Sequence, residues 1–106
     1  MGATKVRMTA PVLKVLGALM SNPKAEISGA DVARLTKLPS GTLYPILMRL
    51  EQAKWVQSEW EDGDPRELRR PRRRFYSVTA LGSRSARLAF KEVASAIGRP
   101  AWGLIS

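Results

Sequence analysis

The segment that most restricts this chain runs from Arg66 to Arg74 and reads RELRRPRRR, six arginines against one glutamate. Like charges packed so densely repel one another and cannot be buried without partners, so any fold must carry them outside, on a loop. Glu61-Asp62-Gly63-Asp64-Pro65 precedes the run as a turn cluster that no helical period absorbs. Trp55, Val56, Ser58 and Trp60 lie on one side of this stretch and Arg74-Phe75-Tyr76-Ser77-Val78 on the other, both rich in β-forming residues. The pattern predicts a long antiparallel hairpin with a basic tip and returning arm. Its simplest alternative is a solvated charge run partly neutralised by Glu59, Glu61, Asp62, Asp64 and Glu67.

Helical periodicity governs the residues before the hairpin. Thr9 can cap a helix from Ala10 to about Met20, with Pro11 tolerated in its first turn and Val12, Val15, Leu16 and Leu19 forming an inward stripe. Ser21-Asn22-Pro23 ends it. Ser28, with Asp31 three residues on, resembles a capping box, and Val32, Ala33 and Leu35 give a short second helix closed by Leu38-Pro39. A third helix runs from Ser40 or Thr42 to Ala53, with Leu43, Ile46, Leu47 and Leu50 at the spacing of one buried face. Pro45 is tolerated if Thr42 is the cap; a kink is expected if Ser40 is. After the second strand Thr79 caps a final helix with Leu81, Ala86, Ala89, Phe90, Val93 and Ile97 on its apolar side, stopped by Gly98-Arg99-Pro100. The fold class is mainly α with a small β-hairpin.

Composition narrows the function. The 106 residues make one domain, with 44% hydrophobic residues to fill a core. There is no cysteine and no histidine, which removes thiolate and imidazole metal sites, thiol nucleophiles and Ser-His pairs, so neither an enzyme nor a metal or other cofactor is expected. Cysteine-free composition, with no membrane-length apolar run and no export signal, reads as cytoplasmic. A net charge of +9 favours a polyanionic partner, nucleic acid before a membrane surface.

Two short helices joined by a tight turn, roughly 28–36 and 40–53, make a helix-turn-helix whose second member can enter a major groove. With its apolar stripe inward, that helix turns Ser40, Thr42, Tyr44, Pro45, Met48, Arg49 and Gln52 outward. Arg49 and Gln52 have the groups that read guanine and adenine edges, while Ser40, Thr42 and Tyr44 near the helix start can hold phosphate oxygens. Arg69, Arg70, Arg72, Arg73 and Arg74 would lie along phosphates or in a minor groove. A helix-turn-helix followed by a basic hairpin is a winged helix-turn-helix, expected over 9–80 between an N-terminal extension, 1–8, and a C-terminal helix and tail, 81–106.

Ser40-Gly41-Thr42-Leu43-Tyr44-Pro45-Ile46-Leu47, then Arg49-Leu50-Glu51 and Trp55-Val56, resembles the recognition-helix signature of the PadR family of winged-helix transcriptional regulators. Arg73-Arg74-Phe75-Tyr76-Ser77-Val78-Thr79-Ala80-Leu81-Gly82 is similar to that family's second wing strand and entry into its last helix. The match is specific over about 40–82, and residues 8–38 agree in general layout. The resemblance implies a cytoplasmic, nucleoid-associated homodimer, often a repressor, that binds a palindromic operator on double-stranded DNA with Tyr44 and its neighbours facing the duplex. It also implies dimerisation through the last helix, here Phe90, Val93 and Ile97 with Trp102, Leu104 and Ile105 beyond, although some of these side chains can instead complete the core. Some members sense small molecules in an aromatic-lined cavity, for which Trp55, Trp60 and Trp102 are the candidates in this sequence. The competing function is a winged-helix module that uses the same surface for protein or RNA.

Overall fold

A threonine sets the first helix. Thr9 Oγ1 accepts from the Val12 amide at 3.4 Å, Pro11 sits in the first turn, and α1 runs Ala10–Met20. The computed structural model describes residues 6–21 and 26–97, without the Ile97 side chain. Trp102, Leu104 and Ile105, the Gly98-Arg99-Pro100 stop, and the side chain of Ile97 lie outside the described residues. The order continues as β1 (Ile27–Ser28), α2 (Gly29–Thr36), α3 (Ser40–Gln52), β2 (Val56–Trp60), α4 (Pro65–Leu68), β3 (Arg74–Val78) and α5 (Ala80–Ile97).

The hairpin belongs to a three-stranded antiparallel sheet in the order β1-β3-β2. β1 was not foreseen; its two residues pair Ile27 with Tyr76 and Ser28 with Phe75 and tie the start of α2 to the wing. Ser28 then closes that strand and caps α2 at once, its Oγ accepting from the Asp31 amide at 3.1 Å. The wing loop is also less irregular than its sequence implies, because Asp64 accepts from the Arg66 amide at 2.9 Å and starts the single turn of α4.

Neither Ser40 nor Thr42 caps α3. The N-cap is Pro39, extended at φ −66° and ψ 153°, whose carbonyl accepts from the Thr42 and Leu43 amides. Pro45 therefore stands inside the helix, and its missing N–H deprives the Gly41 carbonyl of an intrahelical donor. Gly41 is exposed, so water can supply the replacement.

Val15, Leu16, Val32, Leu43, Leu47, Leu50 and Val56 form the fully buried centre, with Ile46, Tyr76, Ala86 and Phe90 around them. Two expected core leucines are outside it: Leu35 is 54% and Leu81 43% exposed. On α2 the place beside Val32 goes to Thr36, whose hydroxyl is satisfied by donating to the Val32 carbonyl at 2.7 Å. On α5 it goes to Gly82, one residue and about 100° around the helix from Leu81.

Gly82 fixes the angle at which α5 leaves the sheet. A Cβ there would stand 2.0 Å from the Trp55 carbonyl oxygen, an approach no side chain permits. Thr79 locks the same junction: its amide donates to Trp55 O at 2.9 Å, its hydroxyl donates to Lys54 O at 2.7 Å, and the same oxygen accepts from the Gly82 amide at 3.0 Å. Glycine to alanine within a helix ordinarily gains about 1 kcal/mol. Here we expect Gly82→Ala to lower stability by about 1–3 kcal/mol or more, since the clash is with backbone; urea unfolding of the two proteins measures the sign.

Candidate nucleic-acid interface

The burial of Leu43, Ile46, Leu47 and Leu50 determines what α3 shows to solvent. Ser40, Tyr44, Pro45, Met48, Arg49 and Gln52 are exposed and Thr42 is half-buried. Tyr44 leans back across α2: a Cβ on Gly29 would lie 3.0 Å from its Cε1 and Oη, so a glycine at the start of α2 makes room for the ring.

A cleft of about 380 Å³ opens between these elements and the wing. Gly29 and Ala30 of α2 form one wall, Tyr44 of α3 another, and Trp60 with Arg72, Arg73 and Arg74 the third. The wing's arginine arm and Tyr44 of α3 thus line one concave surface together with the N-terminal turn of α2. Met48, Arg49 and Gln52 continue the surface along α3 without lining the cleft, and Arg69 is exposed at the end of α4.

The wing arginines fall into two groups. Arg70 is engaged inside the loop, its two Nη atoms donating to the two Glu61 carboxylate oxygens at 2.6 and 2.8 Å. Glu61 Oε1 also accepts from the Arg73 amide at 3.2 Å, and the Glu61 amide donates to the Arg73 carbonyl at 2.7 Å. One glutamate thereby closes the base of the loop. Arg74 is held as well: its Nε donates to Ser58 Oγ at 2.9 Å, its Nη2 lies 3.4 Å from Glu51 Oε2, and its guanidinium sits 5.2 Å from the centre of the Trp60 ring. Arg66, Arg69, Arg72 and Arg73 are exposed and make no ion pair among the described residues.

Sequence reasoning missed the partners that sort the arginines. Of the five acids near the run, Glu61 alone pairs with a wing arginine, and the other partner, Glu51, comes from α3. The only advance signal for Glu51 was its place in the Arg49-Leu50-Glu51 motif.

Of the three tryptophans named as candidates for an aromatic cavity, Trp55 and Trp60 are among the described residues. Trp55 is half-buried against the core and Trp60 is on the wing, 57% exposed. A separate apolar cleft of about 530 Å³ lies between α1, α2 and α5, lined by Leu13, Ala18, Leu35, Phe90 and Val93 among others. Phe90 is 8% exposed and belongs to the apolar core cluster while also lining this cleft. Among the described residues no cluster of acids could hold a metal ion, and no helix is long and apolar enough to cross a membrane.

The Arg70 hydrogen bonds hold the Glu61 carboxyl down from 4.5 to about 2, with the Arg73 amide assisting. A carboxyl lowered on folding stabilises the folded state above its unfolded value, and that contribution fades as pH falls from 4.5 toward 2. We expect Glu61→Gln to be less stable than the parent at pH 7 and the two to converge at acid pH; thermal unfolding across that range measures the gap, and a pH-independent gap would assign the effect to shape instead of charge.

The Transcriptional regulator PadR-like family matches residues 26–88. The fold is similar to smu.1704 from Streptococcus mutans UA159, at 24% identity over 86% of this chain and 85% of that one, TM-score 0.65. It is also similar to a PadR family transcription regulator from hypervirulent Clostridium difficile R20291, at 20% identity over 85% and 92% of the two chains, TM-score 0.67. A third likeness is to a single-residue mutant of MepR from S. aureus bound to an oligodeoxyribonucleotide, at 19% identity over 85% of this chain and 63% of that one, TM-score 0.63. No curated protein matches the chain. With more than half its length matched and a winged-helix fold in place, the chain belongs to the Transcriptional regulator PadR-like family, whose members are non-enzymatic DNA-binding proteins.

Proposed function

We propose that this regulator binds a palindromic operator in double-stranded DNA as a homodimer and acts as a repressor. The observation that carries the DNA interface is the shared concave surface: Tyr44 on the outward side of α3 and the wing's arginine arm line the same cleft. A rigid convex duplex can meet both at once, and the structural likeness to an oligodeoxyribonucleotide-bound regulator supports that arrangement. In this reading Ser40, Thr42, Tyr44 and Pro45 sit near phosphates at the start of α3, while Met48, Arg49 and Gln52 face base edges. Arg69, Arg72 and Arg73 contact the backbone, and Arg70 and Arg74 hold the wing in shape.

Residues 9–80 then form the DNA-binding part and 81–106 the dimerising part, with Val93 and Ile97 of α5 and the tail residues Trp102, Leu104 and Ile105 as the contact set. A small apolar effector fits best in the cleft between α1, α2 and α5, whose volume of about 530 Å³ is within the usual range for such ligands. A protein that works on DNA in this way resides with the nucleoid, in the cytoplasm.

Selection of bound duplexes from a random library, read by sequencing, should return a palindrome; winners without two-fold symmetry would remove the dimeric reading. On the selected site Arg49→Ala should relax base preference, losing about 1–3 kcal/mol of discrimination at one position in each half-site. Arg72→Ala and Arg73→Ala should weaken selected and random duplexes alike and flatten the log–log salt dependence by about 0.9 per lost phosphate contact. Equal effects of all three on selected and random DNA would refute this division of roles.

A further inference from the structure

Glu51 is next to Gln52 on α3, yet its carboxylate, only partly exposed, is engaged by the wing. Oε2 accepts from Ser58 Oγ at 2.7 Å and lies 3.4 Å from Arg74 Nη2. Ser58 is on β2 and Arg74 on β3, so a single side chain of the recognition helix grips both strands of the wing. Arg74 is held from three directions: Glu51 at Nη2, Ser58 at Nε, and the Trp60 ring against its plane. Arg72 and Arg73, next to it along the chain and lining the same cleft, are exposed.

A guanidinium free to meet a phosphate strengthens binding to every duplex, whatever its sequence, and so adds sequence-independent retention on competing DNA without adding discrimination. A guanidinium neutralised within the protein contributes shape without that penalty. We propose that Glu51 is a positioning residue that limits sequence-independent binding: it withholds Arg74 from DNA phosphates and fixes the wing on the recognition helix. This rests on the DNA-binding reading above and adds that the arginines of the wing are not equivalent.

The test is the salt dependence of binding to a labelled random-sequence duplex, measured by anisotropy with the full chain. Glu51→Gln keeps an acceptor for Ser58 but releases Arg74, and should steepen the log–log slope by about 0.9 per protomer. Arg74→Gln alone should leave the parent slope unchanged, the double variant should return to it, and Arg72→Gln should flatten it by about 0.9. Circular dichroism checks that each variant is folded, and the Arg74→Gln result decides by itself should Glu51→Gln not fold. Flattening by Arg74→Gln equal to that of Arg72→Gln, or a parent-like slope for Glu51→Gln, overturns the proposal while leaving DNA binding intact. A parent protein that binds no duplex at low ionic strength overturns the DNA-binding reading and this inference together.

Discussion

The structure depends on the burial of one helical stripe. Leu43, Leu47 and Leu50 are buried to within about a percent, with Ile46 close behind, and they meet Val15 and Leu16 of α1 and Val32 of α2 in the common core. Truncating a leucine in such a site costs about 2–5 kcal/mol, a large part of what a domain this size can muster. Because a helix has fixed angular spacing, burying that stripe leaves no freedom about which residues face outward. The composition of the exposed face follows from packing, and its chemistry is then available for recognition.

The sheet converts that constraint into a surface. β1 pairs with β3 next to the first turn of α2, and β2 pairs with β3 along five residues each. The wing is therefore not a flap on a flexible neck. It is tied to α2 by backbone pairing and to α3 by the Glu51 contacts, and its loop is closed by Glu61. These polar clamps are exposed enough that each contributes modestly to stability. Their effect is on where the arginines are, which matters more to recognition than the energy of any one pair.

What the sequence revealed was what local rules govern. The α1 cap at Thr9, the α2 cap at Ser28, the stripe of α3 and the two wing strands all follow from spacing and short-range hydrogen bonding. β1 escaped because two residues have no period, and their partners, Phe75 and Tyr76, are far along the chain. α4 carried a start signal, Asp64 followed by Pro65, that was absorbed into the reading of a turn. Leu35 and Leu81 were placed inside because hydrophobicity was read without knowing that Thr36 and Gly82 take the contacts beside them. For the candidate interface, charge marked the arginines as a group, but sorting them required Glu51 and Glu61, whose pairings span 23 and 9 residues.

Gly82 gives the architecture a length standard. The close seat of α5 on the Trp55 carbonyl joins the helix to the corner where α3 hands over to β2, so the tilt of α5 and the aim of α3 cannot vary independently. In the proposed dimer joined along α5, that corner would set the gap between the two α3 helices, and DNA repeats its groove only every 34 Å or so. A side chain of one methyl, remote from any base, would then shift which operator spacing the pair can span.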